Sequence, residues 1–154
     1  MFLTFAKLGE SEFLAGQGRI DDALALVSDA LSDAEEFGHL KSPVLRRRAD
    51  LLAQSGAHAS EVAAAYRAAI DCARGQGAKY YELQASTSYA RWLNSEGRSV
   101  EAQTLLAEIY GWFTEGFDTP ALKAKALLDE LDTKPGTPRR SDMSRRGSRA
   151  TKAE

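Results

Sequence analysis

Three stretches decide the fold: GRIDDALALVSDAL at residues 18–31, GAHASEVAAAYRAAI at 56–70 and GRSVEAQTLLAEIY at 97–110. Aligned on Asp22, Glu61 and Glu101, they recur at intervals of 39 and 40 residues, with one extra residue in the second turn. Each acid precedes a position held by Ala23, Val62 or Ala102. Four residues on stand Val27, Tyr66 and Leu106. Three further on stand Ala30, Ala69 and Ile109, followed by Leu31, Ile70 and Tyr110. These offsets mark one face of an α-helix. The small side chain at the front lets a neighbouring helix approach, and the larger ones fill the space behind. An acid in the first turn also suits the positive end of the helix macrodipole.

Working outward, each stretch opens on a glycine: Gly18, Gly56 and Gly97. Leu14, Leu52 and Leu93 stand four residues before those glycines, and Ser11, Ala49 and Ala90 three residues earlier still. Small then large at this spacing is the matching half of a helix-helix contact. The remaining punctuation is Gly38, Gly75 with Gly77, Gly116, and the pairs Ser42-Pro43 and Thr119-Pro120. A hydroxyl before proline signals a helix N-cap followed by the first helical residue. The breaks predict helices near 3–16, 20–37, 43–55, 59–74, 79–96, 99–115 and 120–132. Those pair as hairpins over 3–37, 43–76 and 79–116, with a closing helix over 120–132. A period near 40 residues with a helix pair per unit is the mark of an α-solenoid.

Composition agrees. The 154-residue chain has 26 Ala and 18 Leu against 4 Val and 3 Ile. Helices favour Ala and Leu, whereas strands want β-branched and aromatic side chains. That ratio excludes a β protein and argues against a parallel-sheet α/β fold. No apolar run approaches the ~18 to 20 residues of a membrane span. The opening MFLTFAKL lacks the basic leader of a signal peptide, so the expected compartment is the cytoplasm. One cysteine, Cys72, leaves no internal disulfide and no cysteine zinc cluster.

The formal net charge of -2 averages two unlike parts. Residues 1–133 carry 13 basic and 20 acidic side chains, whereas 134–154 carry 7 basic and 2 acidic. The last segment, KPGTPRRSDMSRRGSRATKAE, is almost devoid of apolar residues and is expected to be a disordered basic tail. It could touch nucleic acid or anionic lipid by charge alone; a solvated tail is the favoured reading, with no specific nucleic-acid or membrane partner.

The turn G-R-x-x-E-A at 97–102, with Leu106 and Ile109 after it, resembles the tetratricopeptide repeat, in a lengthened variety, since the usual period is about 34 residues. A sharper resemblance runs from Leu45 to Leu131, whose string ARGQGAKYYELQASTSYARWLNSEGRSVEAQTLLAEIYGWFTEGFDTPALKAKALLDEL, at 73–131, looks like the C-terminal superhelix of large bacterial multidomain regulators. In those proteins a nucleotide-cyclase or LuxR-type DNA-binding output domain is joined to a signal-transduction ATPase. IYGWFTEGFDTP at 109–120 is the most specific piece. The resemblance implies an all-α, right-handed solenoid of about three tetratricopeptide-like hairpins. It also implies a sensing or scaffolding role, with this chain the tail end or a truncated relative of such a regulator. The chain contains no G-x-x-x-x-G-K-[ST] phosphate-binding loop. The parent's ATPase and cyclase chemistry therefore has no residue here to carry it.

Candidate chemistry is sparse. His39 and His58 sit near inter-helix turns and lack metal-ligand spacing, and Cys72 has no histidine nearby in sequence. No catalytic, cofactor-binding or metal residue is expected. In tetratricopeptide-like solenoids the first helix of each pair faces the concave groove. Arg46, Arg47, Arg48, Tyr80, Tyr81, Gln84, Ser88 and Arg91 are then the candidates for a partner-binding groove. Arginine and aromatic side chains are the usual interface hot spots. The plainer alternative packs Tyr80 and Tyr81 between hairpins and pairs the arginines with local acids. Tyr110, Trp112, Phe113 and Phe117 are read as a closing core, where the last hairpin meets the final helix with its Leu122, Leu127, Leu128 and Leu131. The alternative there is a partner patch.

The expected function is a non-catalytic protein-interaction or regulatory module, binding a partner or upstream domains. The alternative is a superhelix that senses a small-molecule effector. Phe2, Leu3 and Phe5 further predict self-association through the N-terminal face.

Overall fold

The computed structural model describes residues 2–36, 38–112 and 119–133, with the side chains of 119–123 and 133 outside that description. It is all-helical, and no strand occurs among the described residues. The helices are α1 (Phe2–Gly16), α2 (Ile20–Glu36), α3 (Lys41–Ser55), α4 (Ala59–Gly75), α5 (Lys79–Ser95), α6 (Ser99–Tyr110) and α7 (Thr119–Thr133). A single 3-10 turn, Gly38–Leu40, links α2 to α3. Each helix packs on the next in sequence, and α3 also meets α1 and α5, as α5 meets α7.

The hairpin turns repeat one construction. Gly18, Gly56 and Gly97 have φ of 77°, 75° and 78°, a left-handed conformation that a side chain would oppose. The amide after each glycine then reaches back to the same leucine of the repeat. Arg19 N donates to Leu14 O at 3.0 Å, Ala57 N to Leu52 O at 3.2 Å, and Arg98 N to Leu93 O at 2.8 Å. This is the Schellman pattern that satisfies the last carbonyls of a helix. Gly77 builds the same turn between α4 and α5, with Ala78 N to Ala73 O at 2.9 Å. The link between the second and third hairpins is therefore of the same kind as the turns inside them.

The aligned positions are interior. Ala23, Val27 and Ala30 on α2, Val62, Tyr66 and Ala69 on α4, and Ala102, Leu106 and Ile109 on α6 are all buried. Ser11, Ala49 and Ala90 are buried opposite them, on α1, α3 and α5. Two apolar clusters result. One joins Ala23, Val27, Ala30, Ala34, Leu40, Val44 and Leu51. The larger runs from Ala49 and Leu52 on α3 through Leu83, Tyr89 and Leu93 on α5 to Leu127 and Leu131 on α7. Helix α3 feeds both, so it is the seam of the molecule. Fully burying a side chain such as Leu106 or Ile109 contributes about 1.5–3 kcal/mol.

Polar contacts lock the layers. Lys7 on α1 pairs with Asp29 at 2.6 Å and Asp33 at 2.5 Å on α2. Glu82 on α5 is buried, and both its oxygens are bonded: Arg74 Nε donates to Oε1 at 2.7 Å and Lys79 Nζ to Oε2 at 2.8 Å. Arg74 also reaches Glu108 on α6 at 3.4 Å.

Three expectations need correction. Helix α3 begins at Lys41, and Ser42 is not its cap: the N-cap is Leu40, with no side-chain bond. The Ser42 hydroxyl is buried and donates to Ala69 O on α4 at 2.9 Å. Pro43 fits the first turn because amides there have no intrahelical acceptor. Helix α6 stops at Tyr110 rather than running to 115. Trp112, expected in a closing core, is 69% exposed. It lies beyond the end of α6, where the Lys79 ammonium stands 4.3 Å from its ring centroid. Tyr110 is half-buried against the large cluster. Ala124, Leu127 and Leu131 of α7 are buried and Leu128 partly so. Phe113, Phe117 and the tail 134–154 lie outside the described residues.

Candidate functional site

The groove candidates do not all converge. Arg46 and Arg47 on α3 and Ser88 and Arg91 on α5 line one cleft of about 380 Å³, together with Asp50, Gln54, Tyr66 and Trp92. Arg46 and Asp50 are one turn apart on α3, and Ser88, Trp92 and Ser95 recur at helical spacing on α5. Two helix faces thus confront each other, with Tyr66 of α4 at the floor.

Tyr80, Tyr81 and Gln84 stand apart. The two tyrosine rings meet edge-on at 5.5 Å, and Gln84 Nε2 donates to Tyr80 Oη at 3.2 Å. Arg46 lies opposite Ser88, so the cleft starts at the middle of α5 and leaves its first turns outside. Of the arginine triplet, two side chains line the cleft and Arg48 is exposed. That split follows from the ~100° turn between consecutive helical residues.

Asp50 organises the interior. Tyr66 Oη donates to its Oδ1 at 2.8 Å and Arg46 Nη1 to its Oδ2 at 3.1 Å. Arg46 Nη1 also lies 3.5 Å from Ser88 Oγ. Burial pushes the Asp50 carboxyl above its usual range, against the opposing pull of Arg46, the Tyr66 hydrogen bond, Arg47 and Arg91. Burial, reinforced by the Asp50 charge and hydrogen bond, drives the Tyr66 phenol upward, so it stays a donor. Arg47 Nε donates to Ser11 Oγ on α1 at 3.0 Å, which ties the first hairpin to the cleft.

Tyr66 and Trp92 make one side of the lining aromatic. Outside the lining, Tyr89 stacks on both, at 5.3 Å from Tyr66 and 6.0 Å from Trp92. On the other side, Arg46 Nε and Arg47 Nη2 are buried and reach no hydrogen-bond partner among the described residues. Buried donors without partners are costly, typically about 1–3 kcal/mol each. Three guanidinium groups against one carboxylate leave the lining positive, within a body whose residues 1–133 are acidic overall.

His39 and His58 are exposed, and His58 caps α4, its Nδ1 accepting from Ser60 N at 3.3 Å. Burial raises the Cys72 thiol, which disfavours the thiolate. Among the described residues no group of three or more His, Cys, Asp or Glu could hold a metal ion. Among them too, no helix is long and apolar enough to cross a membrane. The chemistry this arrangement offers is recognition of negative charge beside an aromatic wall.

Asp50, Tyr66 and Trp92 are absent from the groove residues read off the sequence. Asp50 could have been found from its spacing to Arg46. Tyr66 reads as an ordinary core position, and its ring is buried, yet it also lines the cleft. No protein-family model matches the chain, and no curated protein or solved structure is significantly similar to it.

Proposed function

We propose that this chain is a non-catalytic recognition module: a right-handed, tetratricopeptide-like α-solenoid of three helical hairpins and a closing helix. It binds a protein partner, or neighbouring domains of a larger regulator, through the face of α3 and α5. The observation that carries this reading is the cleft, where Arg46, Arg47 and Arg91 converge beside Trp92. Arginine and aromatic side chains in a partly desolvated hollow are what interfaces use as anchors. The repeated Schellman turns and the recurring small-large positions support the solenoid description. The link to cyclase- or transcription-type ATPase regulators rests on the residue pattern from Leu45 to Leu131, with 109–120 its most specific piece.

The test is comparative capture. Arg91→Glu and Gln54→Glu alter two exposed cleft side chains, and Arg67→Glu alters an exposed site on another part of α4. Cross-linking in the native host should yield a partner with the wild-type chain and the Arg67 variant, and lose it with the two cleft variants. Equal capture by all forms would refute the reading.

A second reading has its own support. The cleft has the volume of a small-ligand pocket, about 300–1,000 Å³ in general, and its three lining arginines outnumber its one carboxylate. These favour an effector-sensing site, in which a small molecule stabilises one arrangement of the helices.

A further inference from the structure

We infer that the cleft between α3, α4 and α5 is a binding site for a small phosphate monoester. The inference rests on the effector reading and names its chemistry. Arg46, Arg47 and Arg91 face Asp50 alone among the acids of the lining, so two positive charges are uncompensated. A phosphate monoester carries about -1.5 to -2 at pH 7 and offers three acceptor oxygens. A carboxylate carries a single charge, and the cleft already contains one. Both oxygens of Asp50 are engaged, by Tyr66 and by Arg46, so Asp50 holds Arg46 in place and accepts no hydrogen bond from the other two guanidinium groups.

The donors needed are present. Arg46, Arg47 and Arg91 each bring a guanidinium group to the lining. Arg91 forms no hydrogen bond or ion pair among the described residues, though it feels the Asp50 charge. Ser88 Oγ stands beside Arg46 at 3.5 Å. Guanidinium groups match phosphate oxygens with paired N–H donors, at roughly twice the strength of neutral hydrogen bonds. Trp92, half-buried on the wall, gives a flat surface for a sugar or base attached to the phosphate. The cleft of about 380 Å³ takes a molecule of that size.

The experiment titrates the full chain with ribose 5-phosphate, adenosine 5′-monophosphate and inorganic phosphate, each against its phosphate-free counterpart or chloride. Calorimetry and thermal shift are both read. Binding by the phosphate esters and not by their phosphate-free counterparts is expected, with inorganic phosphate weaker because it lacks the ring. Arg91→Ala should weaken binding at least tenfold while leaving the unliganded melting temperature unchanged, since Arg91 is exposed. Arg47→Lys should weaken it too. Affinity should fall as pH drops below about 6, where the second phosphate proton returns. Equal responses to ribose and ribose 5-phosphate, or an Arg91→Ala chain that binds as tightly, would overturn the proposal. Should a neutral or monocarboxylate metabolite bind and be lost in Arg91→Ala, the effector reading stands and the phosphate assignment fails. Should no small molecule bind, both fail and the protein-partner reading remains.

Discussion

Replacing Glu82 by Gln tests how α4, α5 and α6 are held together. The carboxylate is buried and accepts from Arg74 at 2.7 Å and Lys79 at 2.8 Å. Glutamine keeps the volume but offers one acceptor oxygen, and its amide presents N–H to a cation. One charge-assisted bond is lost and the other keeps only its cationic donor. Such bonds contribute about 1.5–3 kcal/mol each. Both cations are roughly 40% exposed, at 41% and 38%, so water recovers part of that, and the net loss should be about 1–2 kcal/mol. For a chain of this size that is a fall of roughly 3–10 °C in melting temperature. Burial alone would raise the Glu82 carboxyl, but the bonds from Lys79 and Arg74 outweigh it and hold the group below its ordinary 4.5. A folded value below the unfolded one gives stability that is present above about pH 4.5. It is lost as pH falls through the folded value. Urea denaturation of both forms at pH 7 and at stepped acid pH should therefore show a difference that shrinks toward zero in acid. A difference that is absent at pH 7, or independent of pH, would refute the reasoning.

Three further outcomes follow from the fold. Gly56→Ala and Gly97→Ala should each destabilise by about 1 kcal/mol, because φ near 75° and 78° opposes a side chain. A control Gly16→Ala, inside α1 with open space around it, should cost nothing by thermal melting. A chain ending before α7 should lose the cover that Leu127 and Leu131 give to the large cluster, and size-exclusion chromatography should show aggregation; an equally stable monomer would contradict the role of α7. Phe2, Leu3, Phe5 and Phe13 of α1 are exposed at 89%, 61%, 49% and 66%, so the chain should self-associate in light scattering and Phe13→Glu should reduce it.

The helices were legible because helix pairs announce themselves locally. Ala23, Val62 and Ala102 recur in register, and glycine closes each pair four residues after a leucine. What escaped was set by contacts between helices distant in the chain. Ser42 reads as a cap because a hydroxyl precedes proline, yet its neighbour in space is Ala69, 27 residues on. Asp50 carries no signal of its own in the sequence, and Tyr66 reaches it from the next helix. Trp112 reads as core because aromatic residues surround it in sequence, whereas the end of α6 at Tyr110 leaves it outside. Of the cleft lining, only Arg46, Arg47, Ser88 and Arg91 were visible as residue types. The convergence of Arg46 on Ser88, 42 residues apart, was not.

The most direct measurement is nuclear magnetic resonance mapping of the isotopically labelled chain during titration with ribose 5-phosphate. The account predicts shifts concentrated on the amides of Arg46, Arg47, Asp50, Ser88, Arg91 and Trp92, and on the Trp92 indole. It predicts none at Tyr80 or Trp112. No perturbation, or one centred on those outer aromatics, would contradict a recognition site between α3, α4 and α5.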